Sequence, residues 1–281
     1  MVRHRVCTGG GRCQWFYRAP DARLGRGIGG YRGFRAAPGV PQERLVVPSG
    51  RVSLLIGFGG ELRVPDAEGR HTSLVSGLHT RARVLGHGGD VRGVELAMAP
   101  WAARRFFGAT GLAELTDTLA DPAEVLGGRV RSLAEALAEA PGWPERFALL
   151  DETLLRWSAE AERRGAAAEP APAVLEAWRL LERSAGALRV HEVAAATGWS
   201  ERHLESRFRE QIGLGPKRLA RVLRLNRAIG LLTAGERAAD TAARCGYYDQ
   251  AHLSREFTAM TGLPPGRFLA DRGTASAWIA G

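Results

Sequence analysis

Two stretches of this chain spell one pattern: "TGWSERHLESRFREQIGLGPKRL" from Thr197 to Leu219, and "CGYYDQAHLSREFTAMTGLPPGRFL" from Cys245 to Leu269. Leu204 and Phe208 recur as Leu253 and Phe257, Gly213 as Gly262 and Pro216 as Pro265, all at one offset of 49. Upstream, Ala194 and Gly198 recur as Ala242 and Gly246 at an offset of 48, so the second copy holds one extra turn residue. A Leu and a Phe four apart share one face of a helix. A small residue followed four positions later by Gly lets a short helix turn tightly into the next. The pattern predicts two helix-turn-helix units, at about 190–213 and 238–262, whose second helices keep one face free for DNA.

The free faces carry suitable chemistry. Opposite Leu204 and Phe208 lie Arg202, Glu205, Ser206 and Arg209; opposite Leu253 and Phe257 lie Gln250, Ala251, Ser254 and Arg255. Arg and Gln form paired hydrogen bonds with guanine and adenine edges, and a carboxylate accepts from cytosine N4. Ser200 and Asp249 stand where N-caps are needed. His203 and His252 occupy matching places on the two helices, as candidates for interface or phosphate contact. Between the copies, "GPKRLARVLRLNRAIGLL" holds Lys217, Arg218, Arg221, Arg224 and Arg227 and no acid. As one helix it would span ~28 Å, against roughly 34–36 Å between successive major-groove faces. Its basic stripe is expected to meet backbone phosphate, with Lys217, Arg218 and Arg221 leading.

The remainder reads as a separate architecture. Residues 1–30 are rich in Gly and Arg and predict a flexible leader. From Tyr31 to about Pro100, short apolar runs cut by Gly and Pro, such as "RLVVPSGRVSLLIGFGGELRVP", predict a small antiparallel sheet. From Trp101 onward, Leu, Val and Ala at three- and four-residue intervals predict amphipathic helices. "GAAAEPAPA" reads as a linker. The expected class is α+β: a sensor- or dimerisation-like domain at 31–164 with a small antiparallel sheet and helices, a linker at 165–172, and an all-α domain at 173–281. Charge follows this division. Residues 1–36 hold eight Arg against Asp21 alone, residues 37–186 hold 17 basic against 20 acidic, and residues 187–281 hold 14 against nine. A basic C-terminal third beside an acidic middle points to a polyanionic partner for that third.

Residues 173–272 resemble the DNA-binding domain of the AraC/XylS family of bacterial transcription regulators, most closely over "GYYDQAHLSREFTAMTGLPPGRF". The resemblance implies two helix-turn-helix units bridged by a long helix, with both recognition helices in the major groove. It implies base-edge contacts from Arg202, Glu205 and Ser206, and from Gln250, Ala251, His252 and Arg255. Ala251 departs from the longer polar residue common there, so its contact could only be apolar. The region from "VVPSGRVSLLIGFGGELRV" to "RFALLDETLLRW" is similar to the sensor-like domain of an actinobacterial branch of such regulators.

Other features carry less. "GRGIGG" places Gly25, Gly27 and Gly30 as in a dinucleotide loop but lacks the flanking strand and helix. Cys7 and Cys13 lack the spacing of a zinc site, and three cysteines suit a reducing cytoplasm. His71, His79 and His87 motivate the alternative of a metal-dependent small-barrel enzyme fused to a DNA-binding module, though no H-x-H pair is present. Trp101, Phe106 and Phe107 are candidates for an effector pocket. Leu133, Leu137, Leu149, Leu150, Leu154 and Leu155 predict the inner face of a bundle or a dimer surface. No catalytic residues, metal or cofactor are expected. The partners expected are promoter DNA, a small-molecule effector, RNA polymerase and a second copy of the chain. No run of about 18 apolar residues suggests a membrane span.

Overall fold

The computed structural model describes residues 3–6, 13–39, 41–65, 70–107, 112–165 and 169–270. The chain forms two compact units. The first comprises residues 1–44, 51–77 and 84–168; the second comprises 45–50, 78–83 and 169–281.

The first unit is built on a seven-stranded sheet of order β1-β2-β3-β9-β5-β7-β10. Its strands are β1 (Arg3–Val6), β2 (Cys13–Arg18), β3 (Ile28–Ala36), β5 (Val52–Gly59), β7 (Leu74–Ser76), β9 (Arg92–Met98) and β10 (Leu119–Ala120). The other three strands, β4 (Gln42–Val46), β6 (Leu62–Arg63) and β8 (Arg83–His87), form a smaller sheet of order β4-β8-β6. Strand pairs of the large sheet run antiparallel. Alternation sets the faces: Val94, Leu96 and Met98 of β9 are buried while Glu95 and Ala97 between them are less so.

The flexible leader expected over 1–30 is corrected by the structure for its described part. Cys13–Arg18 pairs along β3 in register from Cys13↔Ala36 to Arg18↔Tyr31, and β3 begins at Ile28. The glycines that mask this strand have a packing reason. A Cβ on Gly29 would lie 2.8 Å from the Ala97 carbonyl oxygen, and one on Gly33 2.1 Å from the Trp143 ring. Residues 1–2 and 7–12, with Cys7, lie outside the described residues.

Among the described residues this unit also holds the α-helices α1 (Pro100–Phe107), α2 (Pro122–Leu126), α3 (Arg129–Glu139) and α4 (Trp143–Arg163). Val130, Leu133 and Leu137 form the buried stripe of α3, and Phe147, Leu150, Leu154 and Trp157 that of α4. Phe106 and Phe107 are buried on α1, so they serve the core. One polar group pins α4 to the sheet. The buried Asp151 carboxylate accepts from the Tyr31 hydroxyl at 2.7 Å and from the Asp21 amide at 2.8 Å, and pairs with Arg18 at 3.0 Å. Burial and that carboxylate push the Tyr31 phenol above its usual range.

The second unit is helical: α5 (Pro172–Arg183), α6 (Val190–Thr197), α7 (Glu201–Ile212), α8 (Pro216–Thr233), α9 (Ala238–Arg244), α10 (Gln250–Thr261) and α11 (Pro265–Ala270). Fully buried Trp178 of α5 stacks on Phe208 of α7, ring centroids 6.4 Å apart. Two short segments from early in the chain belong to this unit, although the sequence reading assigned them to the domain at 31–164. Val47 is buried among Val222, Leu225, Ile229 and Phe257, and the Ala82 amide donates to the Met260 carbonyl at 2.6 Å. Among the described residues no helix is long and apolar enough to cross a membrane.

Candidate nucleic-acid interface

The two motifs close by the same backbone device. Gly198 after α6 and Gly246 after α9 take left-handed φ of 71° and 73°. In that conformation the next amide folds back on the preceding helix: Trp199 N–H donates to Ala194 O at 3.0 Å, and Tyr247 N–H to Ala242 O at 2.9 Å. Each of these aromatic rings meets a histidine edge-on, Trp199 with His203 at 4.5 Å and Tyr247 with His252 at 5.4 Å. The recognition helices then begin at matched caps. Ser200 Oγ accepts from His203 N–H at 3.3 Å, and Asp249 Oδ1 accepts from His252 N–H at 2.6 Å. The surplus residue of the second turn is Tyr248, 93% exposed. The sequence comparison located an insertion without saying which residue it was; the matched amide bonds identify it.

Leu204, Phe208 and Ile212 of α7 are fully buried, as are Leu253 and Phe257 of α10. The opposite faces are open: Arg202, His203, Glu205, Ser206 and Arg209 on α7 are exposed, as are Gln250, Ala251 and Arg255 on α10, with Ser254 half-buried. Both helices end on left-handed glycines, Gly213 and Gly262, followed by Pro216 and Pro265 at the starts of α8 and α11. Thus α11 is a short counterpart of α8, and Phe268 packs edge-on against Phe257 at 5.1 Å.

Charge is distributed unevenly over this unit. Among the described residues Arg202, Arg209, Arg255, Lys217 and Arg218 are exposed and make no ion pair within the chain. Arg221 differs from the expectation of a phosphate contact. Its Nε lies 2.9 Å from Glu256 Oε1 of α10, an ion pair without hydrogen-bond alignment, and Arg224 joins the same carboxylate at 3.7 Å. Arg224 also lies 5.6 Å from the buried Tyr247 ring. The middle of the basic stripe is therefore engaged in holding α8 to α10, which leaves Lys217 and Arg218 at one end and Arg227 further along in solvent.

Two other expected readers are partly engaged inside the protein. His252 is half-buried, and its Nδ1 accepts from the Tyr248 amide at 3.2 Å. The Glu205 carboxylate lies over Gly215, the N-cap of α8, where an added Cβ would sit 2.1 Å from Oε1. A helix N-terminus stabilises such an anion, which accounts for an acid on a face otherwise suited to DNA.

Of the histidines that motivated an enzyme reading, His71 and His87 pair with Leu62 from its two sides. His87 lies on β8, with Nδ1 accepting from Gly89 N–H at 3.2 Å; burial and then the nearby Arg44 and Arg63 lower its pKa. His71 is in the isolated bridge to Leu62, and His79 is buried. Among the described residues no group of three His, Cys, Asp or Glu is placed to hold a metal ion.

A family described as a helix-turn-helix domain matches residues 174–271. The chain is similar to an uncharacterised HTH-type transcriptional regulator, YbfI, of Bacillus subtilis, at 32% identity over 39% of this chain. It spans 40% of that relative's length. An AraC-type transcriptional regulator structure from Chromobacterium violaceum is 29% identical over 36% of this chain and 92% of its own, with a TM-score of 0.34. ToxT from Vibrio cholerae aligns over 87% of this chain and 99% of its own at 11% identity and a TM-score of 0.48. These matches do not support the actinobacterial kinship expected for the N-terminal part. Over residues 174–271 the chain is thus similar to helix-turn-helix transcriptional regulators.

Proposed function

We propose that the protein is a sequence-specific regulator that reads double-stranded promoter DNA with α7 and α10 in neighbouring major-groove segments, while its N-terminal unit senses a small-molecule effector. One observation carries the reading. Two helices start from equivalent side-chain caps, bury equivalent Leu and Phe residues, and leave Arg202 and Arg255 exposed without an ion-pair partner among the described residues. The 18 residues of α8 make a rod of about 27 Å, close to one helical turn of DNA at roughly 34–36 Å.

Arg202, Ser206, Gln250 and Arg255 are the proposed base readers. Lys217 and Arg218 supply phosphate contacts, and exposed Tyr248 lies against the backbone beside the second groove. Glu205 and His252 contribute only as far as their internal contacts release them. A second copy of the chain and RNA polymerase are the expected protein partners, and the cytoplasm is the expected compartment. Selection of bound sites from random DNA tests the reading. Arg255→Ala is expected to cost ~1–3 kcal/mol at the selected site and to relax preference at one base pair. Unchanged affinity and unchanged preference would remove α10 from the interface.

A further inference from the structure

The face of the large sheet beneath the α3–α4 turn gathers three guanidiniums, none of them neutralised by an ion pair among the described residues. Arg35 of β3 and Arg92 of β9 are direct register partners on neighbouring strands, and Gln14 of β2 pairs with Arg35 on the other side. Like charges placed directly opposite in a sheet are destabilising. A third guanidinium, that of Arg146, closes the group from α4. It is fixed by donating to the Leu137 carbonyl at 2.9 Å and the Ala140 carbonyl at 2.7 Å. Burial lowers the Arg146 pKa, and the facing Arg92 and Arg35 lower it further against the opposing effect of Glu145. Among the described residues none of the three makes an ion pair with an acid, and Arg92 Nε is buried without a hydrogen-bond partner.

These groups line a cavity of about 350 Å³ whose remaining wall is Phe16, Phe58 and Trp143 with Pro141 and Gly142. Trp143 lies on the bare backbone at Gly33, stacks on Phe16 at 4.3 Å with an 18° interplanar angle, and meets Phe58 at 6.3 Å. Arg146 sits 5.2 Å from the Trp143 ring and 5.3 Å from the Phe58 ring. Guanidinium forks match a carboxylate in geometry and charge, while flat rings favour a flat apolar body. The volume is at the small end of ligand pockets, which suits one ring and its carboxylate better than a nucleotide.

We infer that this cavity binds a small planar aromatic carboxylate, held by Arg35, Arg92 and Arg146 with Gln14 and shielded by Trp143. The inference rests on the reading of the N-terminal unit as the sensing part, and it names the site and the ligand class. Anion binding removes the repulsion between the two register-paired arginines, so occupancy stabilises the sheet.

The test is calorimetric titration of the full chain, without DNA, using trans-cinnamate, its neutral amide, inorganic phosphate and adenosine monophosphate as probes. Cinnamate is expected to bind saturably, with the amide and phosphate at least about tenfold weaker. Arg35→Gln, at an exposed position, and the charge-preserving Arg92→Lys should each weaken cinnamate by about tenfold or more. Trp143→Leu should weaken cinnamate more than phosphate. Melting curves of ligand-free Arg35→Gln should lie at or above the parent, because one of two facing charges is gone. No saturable binding, equal binding of the amide, tighter binding of the nucleotide, or indifference to both Arg35→Gln and Arg92→Lys would overturn the proposal. DNA affinity of the same proteins is measured separately. Lost cinnamate binding with DNA affinity intact fails the pocket alone, and absent DNA binding with cinnamate intact fails the regulator.

Discussion

Ser200 and Asp249 do the same work for two helices, each accepting an amide hydrogen bond from the histidine three residues on. Replacing either with Ala is expected to cost ~1 kcal/mol of stability, read by urea denaturation. The Asp249 variant should also weaken DNA binding, because it loosens the start of α10. Arg221 makes a different prediction from the one its sequence suggested. Tied to Glu256, it should contribute ~1 kcal/mol or less to stability, given its partial exposure. Arg221→Ala should therefore lower the denaturation midpoint and leave the salt dependence of DNA binding unchanged. Arg218→Ala should leave the midpoint alone and reduce the salt slope by ~1. The caps could be read from spacing, since a cap's partner lies three residues away. The fate of Arg221 could not, because its partner stands on another helix and nothing in the periodicity of α8 announces it. Glu205 illustrates the same limit: its contact over Gly215 crosses a turn that only folding brings close.

The recognition helices and the rod between them were legible because repetition fixed their ends: Gly213 and Gly262 stop helices, and Pro216 and Pro265 start them. The strand β3 was less so, because Gly29 and Gly33 interrupt its apolar alternation where Ala97 and Trp143 approach. Segments 45–50 and 78–83 were also misassigned, since sequence adjacency to strands says nothing about which core Val47 enters. Helix packing has its own glycine. At Gly186, φ is 75° and an added Cβ would lie 2.1 Å from the Ala220 carbonyl oxygen of α8. Gly186→Ala is predicted to destabilise the second unit by ~1–3 kcal/mol, seen as a lower thermal midpoint. In the sheet, Glu95 of β9 is held between Arg32 of β3 at 2.5 Å and Ser53 of β5 at 2.8 Å. Burial pushes its carboxyl up, but the Arg32 and Arg44 guanidiniums and the Ser53 hydroxyl outweigh that and hold it below the ordinary range. A native value below the unfolded one gives stability that is complete above the unfolded pKa and is lost as pH falls through the native one. Denaturation midpoints between pH 7 and pH 3 should fall less steeply in Glu95→Gln than in the parent.

Taken as a whole, the helix-turn-helix region is doubled in architecture and single in chemistry. Positions related by the offset of 49 pair Arg202 with Ala251, Glu205 with Ser254 and Ser206 with Arg255, so the open faces of the two heads carry different groups. The selected site should be two unlike half-sites in a fixed order rather than a palindrome. A rod of 18 helical residues between the heads fixes their separation as well as their order. The most direct measurement compares the affinity of the full chain for its selected site with that for the same site carrying about five extra base pairs, half a turn, between the halves. A loss of at least about a hundredfold is expected, down toward the affinity for random DNA. Equal affinity for the two sites would mean that only one helix reads DNA, and would overturn the two-headed reading.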